Sequence, residues 1–347
     1  MKVLNAHERS LAGLARSLRT AIVVPSLFAL ALLVIKQPEA AGFAVFGTFA
    51  HQMLVNYTAG TARFAQSAML TLLGAIMLSL GTLASTSVWL AVGGTVVVGF
   101  LSELPLLAGG RIVAIRRALL LSFMLAVAVP APAHSLLPYL AGWLAAGAIA
   151  QPALLLIWIP FQSSAAGEGV SSCERAADAA APANRSNWMG KAVRSGLALG
   201  LAVLLTRLFE LDHAFWVVLG VLPVLSASEG SAARTFWQEQ AGTLIGFSIS
   251  AVVVAVFEPQ QALYWLILPF IVFGSAYAAS AVGFMAGQAA FTVFAVMLFC
   301  ILLPQQQQAG ILRLEDIAIG GTVSLIVGLL CRGESCFVHC LRSLVKA

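Results

Sequence analysis

The sequence predicts an all-α membrane protein of about 12 transmembrane helices, arranged as two six-helix repeats of the same orientation. Three observations support this fold: the composition, the spacing of the apolar runs and the distribution of basic residues. Hydrophobic residues make up 60% of the 347 residues and charged residues only 10%, whereas about 25% of the residues in a soluble domain are charged. So few charges cannot solvate a globule of this length, and we expect most of the chain to lie in a lipid bilayer.

Apolar runs long enough for a helix to cross a bilayer, about 20 residues each, recur along the whole chain. In the first half they predict spans at 20–36, 40–57, 64–83, 87–104, 112–130 and 135–160. In the second half they predict spans at 191–208, 213–226, 236–257, 262–280, 283–303 and 314–331. Apolar and polar residues do not alternate over strands of about 10 residues, which excludes a transmembrane barrel.

One long polar segment divides the two sets of spans. Residues 161–188 are rich in Ser, Ala, Gly, Pro and charged residues, the composition of a linker. The predicted domains are therefore a first six-helix membrane repeat at 1–160, a cytoplasmic linker at 161–188 and a second six-helix membrane repeat at 189–347.

The basic residues predict the orientation, because positively charged loops remain in the cytoplasm. With 12 spans, 16 of the 19 Lys and Arg residues fall on one side of the membrane. The other side holds only Lys36, Arg207 and Arg313. Both termini and the linker are therefore predicted to be cytoplasmic.

Short matching motifs indicate that the halves are repeats. Arg19 opens the first run as Arg194 opens the seventh, and FAVFG at 43–47 resembles WVVLG at 216–220. GTAR, ending at residue 63, likewise resembles SAAR, ending at residue 234. Repeats of six spans share one orientation, which predicts a pseudo-two-fold axis along the membrane normal and a transport site at the interface between the repeats.

Four motifs of the second half resemble the fusaric acid resistance protein-like (FUSC) family, a family related to aromatic acid exporters and plant aluminium-activated malate transporters. They are HAFWVVLGVLPVL, GSAARTFWQEQAGTLIGF, SAYAASAVGFMAGQAAFTVFAVMLF and LRLEDIAIGGTVSLIVGLL, which lie between residues 213 and 330. RTAIVVPSLFAL, AAGFAVFGTFA and AVAVPAPA in the first half resemble the family's N-terminal membrane unit.

The resemblance implies an efflux permease for organic, often aromatic, carboxylic acids in the bacterial inner membrane. Members of the family usually carry sizeable cytoplasmic domains after each six-span unit, and the 161–188 linker is much shorter than such a domain. Two alternatives therefore stay open. The protein could be a passive organic-anion channel, as the malate transporters suggest, or a non-transporting membrane protein that lost its soluble domains.

A permease for organic anions needs hydrogen-bond donors that a carboxylate can reach, and apolar or aromatic walls for a ring. Arg207 and Arg313 are candidate substrate-binding residues because the orientation leaves both on the outer side, where ion pairing with nearby acids is the alternative explanation. Arg234 and Trp237 form a basic and aromatic cluster at the cytoplasmic start of the ninth span. An interfacial anchor has the same composition.

The remaining candidates lie in or beside spans. His213 and Trp216 begin the eighth span, which is short and contains Pro223, and helices broken by Pro often line transport sites. Gln288 lies in the eleventh span among small residues, where a polar group either binds substrate or holds helices together.

No catalytic motif, phosphate-binding loop or metal-ligand helix is visible, so we expect neither an enzyme nor a cofactor or metal. Cys331, Cys336, His339 and Cys340 form a loose cluster that fits no zinc pattern. The expected partners are the lipid bilayer, a small organic anion, and a homo-oligomeric copy or an accessory membrane-fusion subunit, with no nucleic acid.

Overall fold

The computed structural model describes most of the chain as helix. The described residues are 6–55, 62–104, 110–128, 135–156, 188–211, 215–227, 231–257, 261–302 and 309–331. Within these ranges no strand is present, so the predicted all-α class is confirmed. Nearly all of the predicted linker, His213 and the cysteines after Cys331 lie outside the described residues.

Twelve α-helices make up the described ranges, and each predicted span falls on one of them. They are α1 (Ala6–Ala29), α2 (Pro38–Val55), α3 (Ala62–Ser85), α4 (Val88–Leu101), α5 (Gly110–Ala128), α6 (Leu136–Leu156), α7 (Trp188–Leu208), α8 (Phe215–Ser226), α9 (Ala232–Phe257), α10 (Gln261–Ala281), α11 (Phe284–Leu302) and α12 (Ala309–Leu330). A π-helical turn, Leu30–Val34, continues α1.

Six helices of the described residues are long and apolar enough to cross a membrane. These segments are Gly13–Val34, Phe64–Ser85, Trp188–Leu208, Ala232–Val256, Ala262–Ala281 and Phe284–Leu302. Three apolar helices are shorter, namely Val88–Leu101, Leu136–Ala150 and Phe215–Ser226. The protein is thus a multi-pass membrane protein by length and composition, and the crossing of the remaining predicted spans stays a prediction.

The helices of the two halves pack in matching pairs. α2 packs on α6 as α8 packs on α12, and α3 packs on α5 as α9 packs on α11. Between the halves, α4 packs on α7 and α10 packs on α1. In the latter contact the rings of Phe28 and Trp265 stack with centroids 5.2 Å apart.

Aromatic side chains of α2 extend this contact between the halves. The ring of Phe46 lies 5.0 Å from that of Phe215 on α8. One turn later, the ring of Phe49 lies 5.2 Å from that of Phe294 and 6.2 Å from that of Phe291, both on α11. The second half therefore meets the first along a line of phenylalanines.

Two glycines allow α8 and α12 to approach closely. A Cβ atom added at Gly220 would lie 2.6 Å from the Ile317 carbonyl oxygen, and one added at Gly320 would collide with the Val217 carbonyl oxygen. Such distances are shorter than van der Waals contact, so neither position has room for a side chain. The close contact brings together Trp216, one turn before Gly220, and Arg313, two turns before Gly320.

We predict that Gly320→Ala destabilises the protein, whereas Gly328→Ala on the same helix does not. The added methyl at residue 320 forces α12 away from α8, and overpacking of this kind costs about 1–3 kcal/mol. A methyl at residue 328 meets no atom within 4 Å. Thermal unfolding of the purified variants in detergent measures the difference, and equal unfolding midpoints would contradict the close approach.

Candidate functional site

The candidate site is built around Arg313, which lies near the start of α12 and is only 1% exposed. Burial of a guanidinium charge costs several kcal/mol unless other groups compensate it. The groups around Arg313 therefore decide whether its buried charge is stable. These groups are aromatic on one side and polar on the other.

Two aromatic rings cover the Arg313 guanidinium. Its Cζ atom lies 4.0 Å from the ring centroid of Trp216 and 5.0 Å from that of Phe291. A cation over the face of an aromatic ring is attracted by about 2 kcal/mol or more when both are desolvated. Trp216 is itself 2% exposed, so this contact is fully shielded by other protein groups.

One edge of the guanidinium is held by a hydrogen bond. Nε of Arg313 donates to Oγ1 of Thr292 on α11 at 3.2 Å. The Thr292 hydroxyl in turn donates to the backbone carbonyl of Gln288 at 2.8 Å, which fixes its rotamer. The buried Nη1 atom of Arg313 has no hydrogen-bond partner among the described residues. The guanidinium is thus fixed in position while one of its N–H groups is left to donate.

The face of α9 that turns toward this site is unusually small and polar. Its buried residues follow helical spacing and are Glu239, Gly242, Thr243, Gly246 and Ser250. The two glycines let the backbone of α9 lie against α11, since added Cβ atoms would meet the carbonyl oxygens of residues 285 and 289. The Thr243 hydroxyl has no partner in the described ranges.

Glu239 supplies a buried carboxyl group next to this face. Its side chain is 1% exposed, and Oε2 lacks a hydrogen-bond partner within the described ranges. The Arg313 charge acts on Glu239 electrostatically. The packing of α9 is consistent with this: Phe236 lies against Gly321 of α12, and Gly246 lies against Thr292, so Glu239 falls between these two contacts.

The other sequence-predicted residues that the structure describes lie in different surroundings, and of these Gln288 is hydrogen-bonded to Thr292 beside Arg313. Arg207 lies on α7, where its Nη2 donates to the Val127 carbonyl of α5 at 2.7 Å. Arg234 is exposed, and Trp237 is 69% exposed with its ring against Phe236. Gln288 is half-buried one turn before Thr292, and its Cβ atom faces Gly242.

Sequence reasoning missed three buried polar residues. Glu239 and Thr292 were detectable, because each is a polar group inside a predicted span. Arg19 was counted as a cytoplasmic charge, but it is 1% exposed, and its Nε donates to Oε1 of Gln52 at 2.8 Å. No sequence signal distinguishes that arginine from its interfacial neighbours.

A separate groove of about 410 Å³ lies between α9, α10 and α11. Its walls are apolar and include Ile245, Ile249, Ile271 and Met285. Its lining includes no charged residue and none of the three residues that contact the Arg313 guanidinium, Trp216, Phe291 and Thr292, so it does not provide the donors that an organic anion requires.

Comparison with known protein families supports the resemblance seen in the sequence. Residues 201–327 match the model of the fusaric acid resistance protein-like family. The matched stretch begins in α7, ends in α12 and contains Trp216, Glu239, Thr292 and Arg313. No curated protein and no solved structure matches the chain. The family match and the apolar helices together indicate a transporter-like membrane protein.

We predict that Trp216→Leu destabilises the protein strongly, whereas Trp237→Leu has little effect. Truncation of a buried Trp costs about 3–5 kcal/mol, and here it also removes the ring beneath Arg313. Trp237 is mostly exposed and loses little contact. Thermal unfolding in detergent distinguishes the two variants. A smaller loss for Trp216→Leu than for Trp237→Leu would show that the ring does not support the buried cation.

Proposed function

We propose that the protein is a secondary transporter that exports organic, in particular aromatic, carboxylates across the bacterial inner membrane. The observation that carries the proposal is the buried Arg313 guanidinium, which stacks on Trp216 and keeps an N–H group without a partner in the described residues. A guanidinium binds a carboxylate through charge-assisted hydrogen bonds, and neighbouring aromatic rings can pack against a substrate ring.

The proposed architecture consists of two six-helix repeats of the same orientation, with both termini and the linker in the cytoplasm. The matching helix pairs support the two repeats, and so do matching hydrogen bonds, while the distribution of Lys and Arg supports the orientation. Arg19 of α1 donates to Gln52 of α2 at 2.8 Å, and Arg194 of α7 donates to the Leu225 carbonyl of α8 at 2.7 Å. In this scheme the aromatic line between the halves is the interface at which alternating access occurs.

The proposed binding site belongs to one repeat only. The residue that corresponds to Trp216 in the first half is Phe43, and the residue stacked on it is Tyr139, with ring centroids 4.1 Å apart. Tyr139 therefore takes the place that Arg313 takes in the second half. A phenol ring offers no positive charge, so we propose one anion site per chain.

We predict that the proposed orientation places residue 210 outside the cell and residue 282 inside it. Both are exposed in the structure, Glu210 after α7 and Val282 between α10 and α11. In a variant whose five native cysteines are replaced, Glu210→Cys should react with a membrane-impermeant maleimide in whole cells. Val282→Cys should react only after the membrane is opened. The reverse pattern, or labelling of both from outside, would contradict the orientation.

We predict that Arg313→Gln lowers transport efficiency by about a hundredfold. The substrate carboxylate would lose its charged partner, and removal of one partner of a buried charge pair costs about 2–5 kcal/mol. The assay is counterflow of radiolabelled benzoate, 4-hydroxybenzoate or phthalate in vesicles containing the purified protein, with malate as the non-aromatic comparison. The pH is chosen so that each acid is ionised.

The matched control is Arg117→Gln, which changes an exposed arginine on α5 and should leave transport unchanged. Wild-type vesicles without counterflow of any acid in the panel would refute a carrier for these substrates. Single-channel currents in planar bilayers would instead support the anion-channel alternative. The same assay on Arg207→Gln and Arg234→Gln decides whether those two arginines also contribute to transport.

A further inference from the structure

We infer that Glu239 is a proton-binding site linked to Arg313, so that one proton joins the Glu239 carboxylate when an organic anion binds at Arg313. The inference rests on the proposed function, and it adds the ion that moves with the anion. It is carried by the arrangement of two buried ionisable groups, one acidic and one basic, each with a polar atom that lacks a hydrogen-bond partner among the described residues.

Glu239 lies well inside α9 rather than at its end. It is the eighth residue of a helix of 26 residues, beyond the exposed Arg234 and Trp237 of the first turns. On the helical face that it shares with Gly242, Thr243 and Gly246, it is the only ionisable side chain. A carboxylate this deeply buried must be either protonated or compensated by a positive charge.

Arg313 is the charge that compensates it. Four helices pack on α9, and of these α8 has no ionisable residue. The ionisable residues of the other three, in their described parts, are Arg313, Glu315 and Asp316 on α12, Cys300 on α11, and Tyr264 and Tyr277 on α10. Arg313 is the one among them whose charge acts on Glu239.

The linkage follows from the charge balance of the site. For the pair Arg313 and Glu239, one guanidinium and one ionised carboxylate sum to zero when no substrate is bound. A second carboxylate, brought by the substrate, would leave a net negative charge in a region closed to water. Addition of a proton to Oε2 of Glu239 restores neutrality through a new O–H bond, and no bond of the substrate breaks. Anion binding and proton binding therefore favour each other.

This linkage has a consequence for the direction of transport. A monocarboxylate and its proton cross together in the same direction without net charge, so the membrane potential does not drive their movement. Export then follows the combined gradient of anion and proton, and accumulation of the acid inside the cell supplies the driving force.

The test is the pH dependence of benzoate binding to the purified full-length protein. Benzoate remains ionised between about pH 6 and pH 9, so its own charge stays constant. With one linked proton, the affinity of the wild type should fall by up to tenfold per pH unit as the pH rises. Glu239→Gln mimics the protonated side chain, so it should bind benzoate with an affinity that no longer changes with pH.

Two controls keep the interpretation specific. Glu315→Gln makes the same chemical change at an exposed position of α12 and should retain the wild-type pH dependence. Glu239→Asp keeps an ionisable group and should restore the dependence. A further measurement needs no variant: at a pH at which Glu239 is ionised before the addition, benzoate added to the wild type in weakly buffered solution should remove protons from solution, as reported by a pH-sensitive dye.

The outcomes separate the inference from the function on which it rests. Benzoate binding by the wild type that does not depend on pH, or that releases protons, would overturn the linkage and leave the binding site intact. Wild-type pH dependence in Glu239→Gln would overturn the assignment to this residue. Absence of benzoate binding by the wild type would refute the proposed function itself.

Discussion

The structure depends most on how it accommodates one buried cation. Arg313 is removed from water, and three kinds of group replace its hydration: the ring faces of Trp216 and Phe291, the hydroxyl of Thr292 and the carboxyl group of Glu239. Only the last of these can carry a negative charge, and none of them accepts a hydrogen bond from Nη1. The compensation of the buried guanidinium is therefore incomplete.

Close backbone packing makes this arrangement possible. Rings can lie against a guanidinium only if the helices that carry them are near each other, and α8, α9, α11 and α12 meet through glycines. Gly220 and Gly320 join α8 to α12, while Gly242 and Gly246 join α9 to α11. In a bilayer, where helices gain little from apolar burial against each other, such close contact supplies much of the packing energy.

The sequence predicted the elements better than the contacts between them. Apolar runs of bilayer length located the helices because a lipid environment allows only satisfied backbones. Trp216 and Arg313 were also named, but their stacking was not, since it depends on the register of α8 against α12. The sequence did not identify Glu239 as a site residue because it follows Arg234 and Trp237, which are exposed. The structure shows that Glu239 lies on the buried face of α9.

The comparison of the halves explains why a near-symmetric scaffold can hold an asymmetric site. Tyr139 on Phe43 and Arg313 on Trp216 occupy corresponding places, so the same packing accepts either a neutral ring or a charged guanidinium. The aromatic platform is the common element, and the stacked group is the variable one. A guanidinium in the place of Tyr139 would be a further desolvated cation, and its burial would cost several kcal/mol unless another charge offset it. The phenol ring of Tyr139 fills the corresponding place in the first half without that cost.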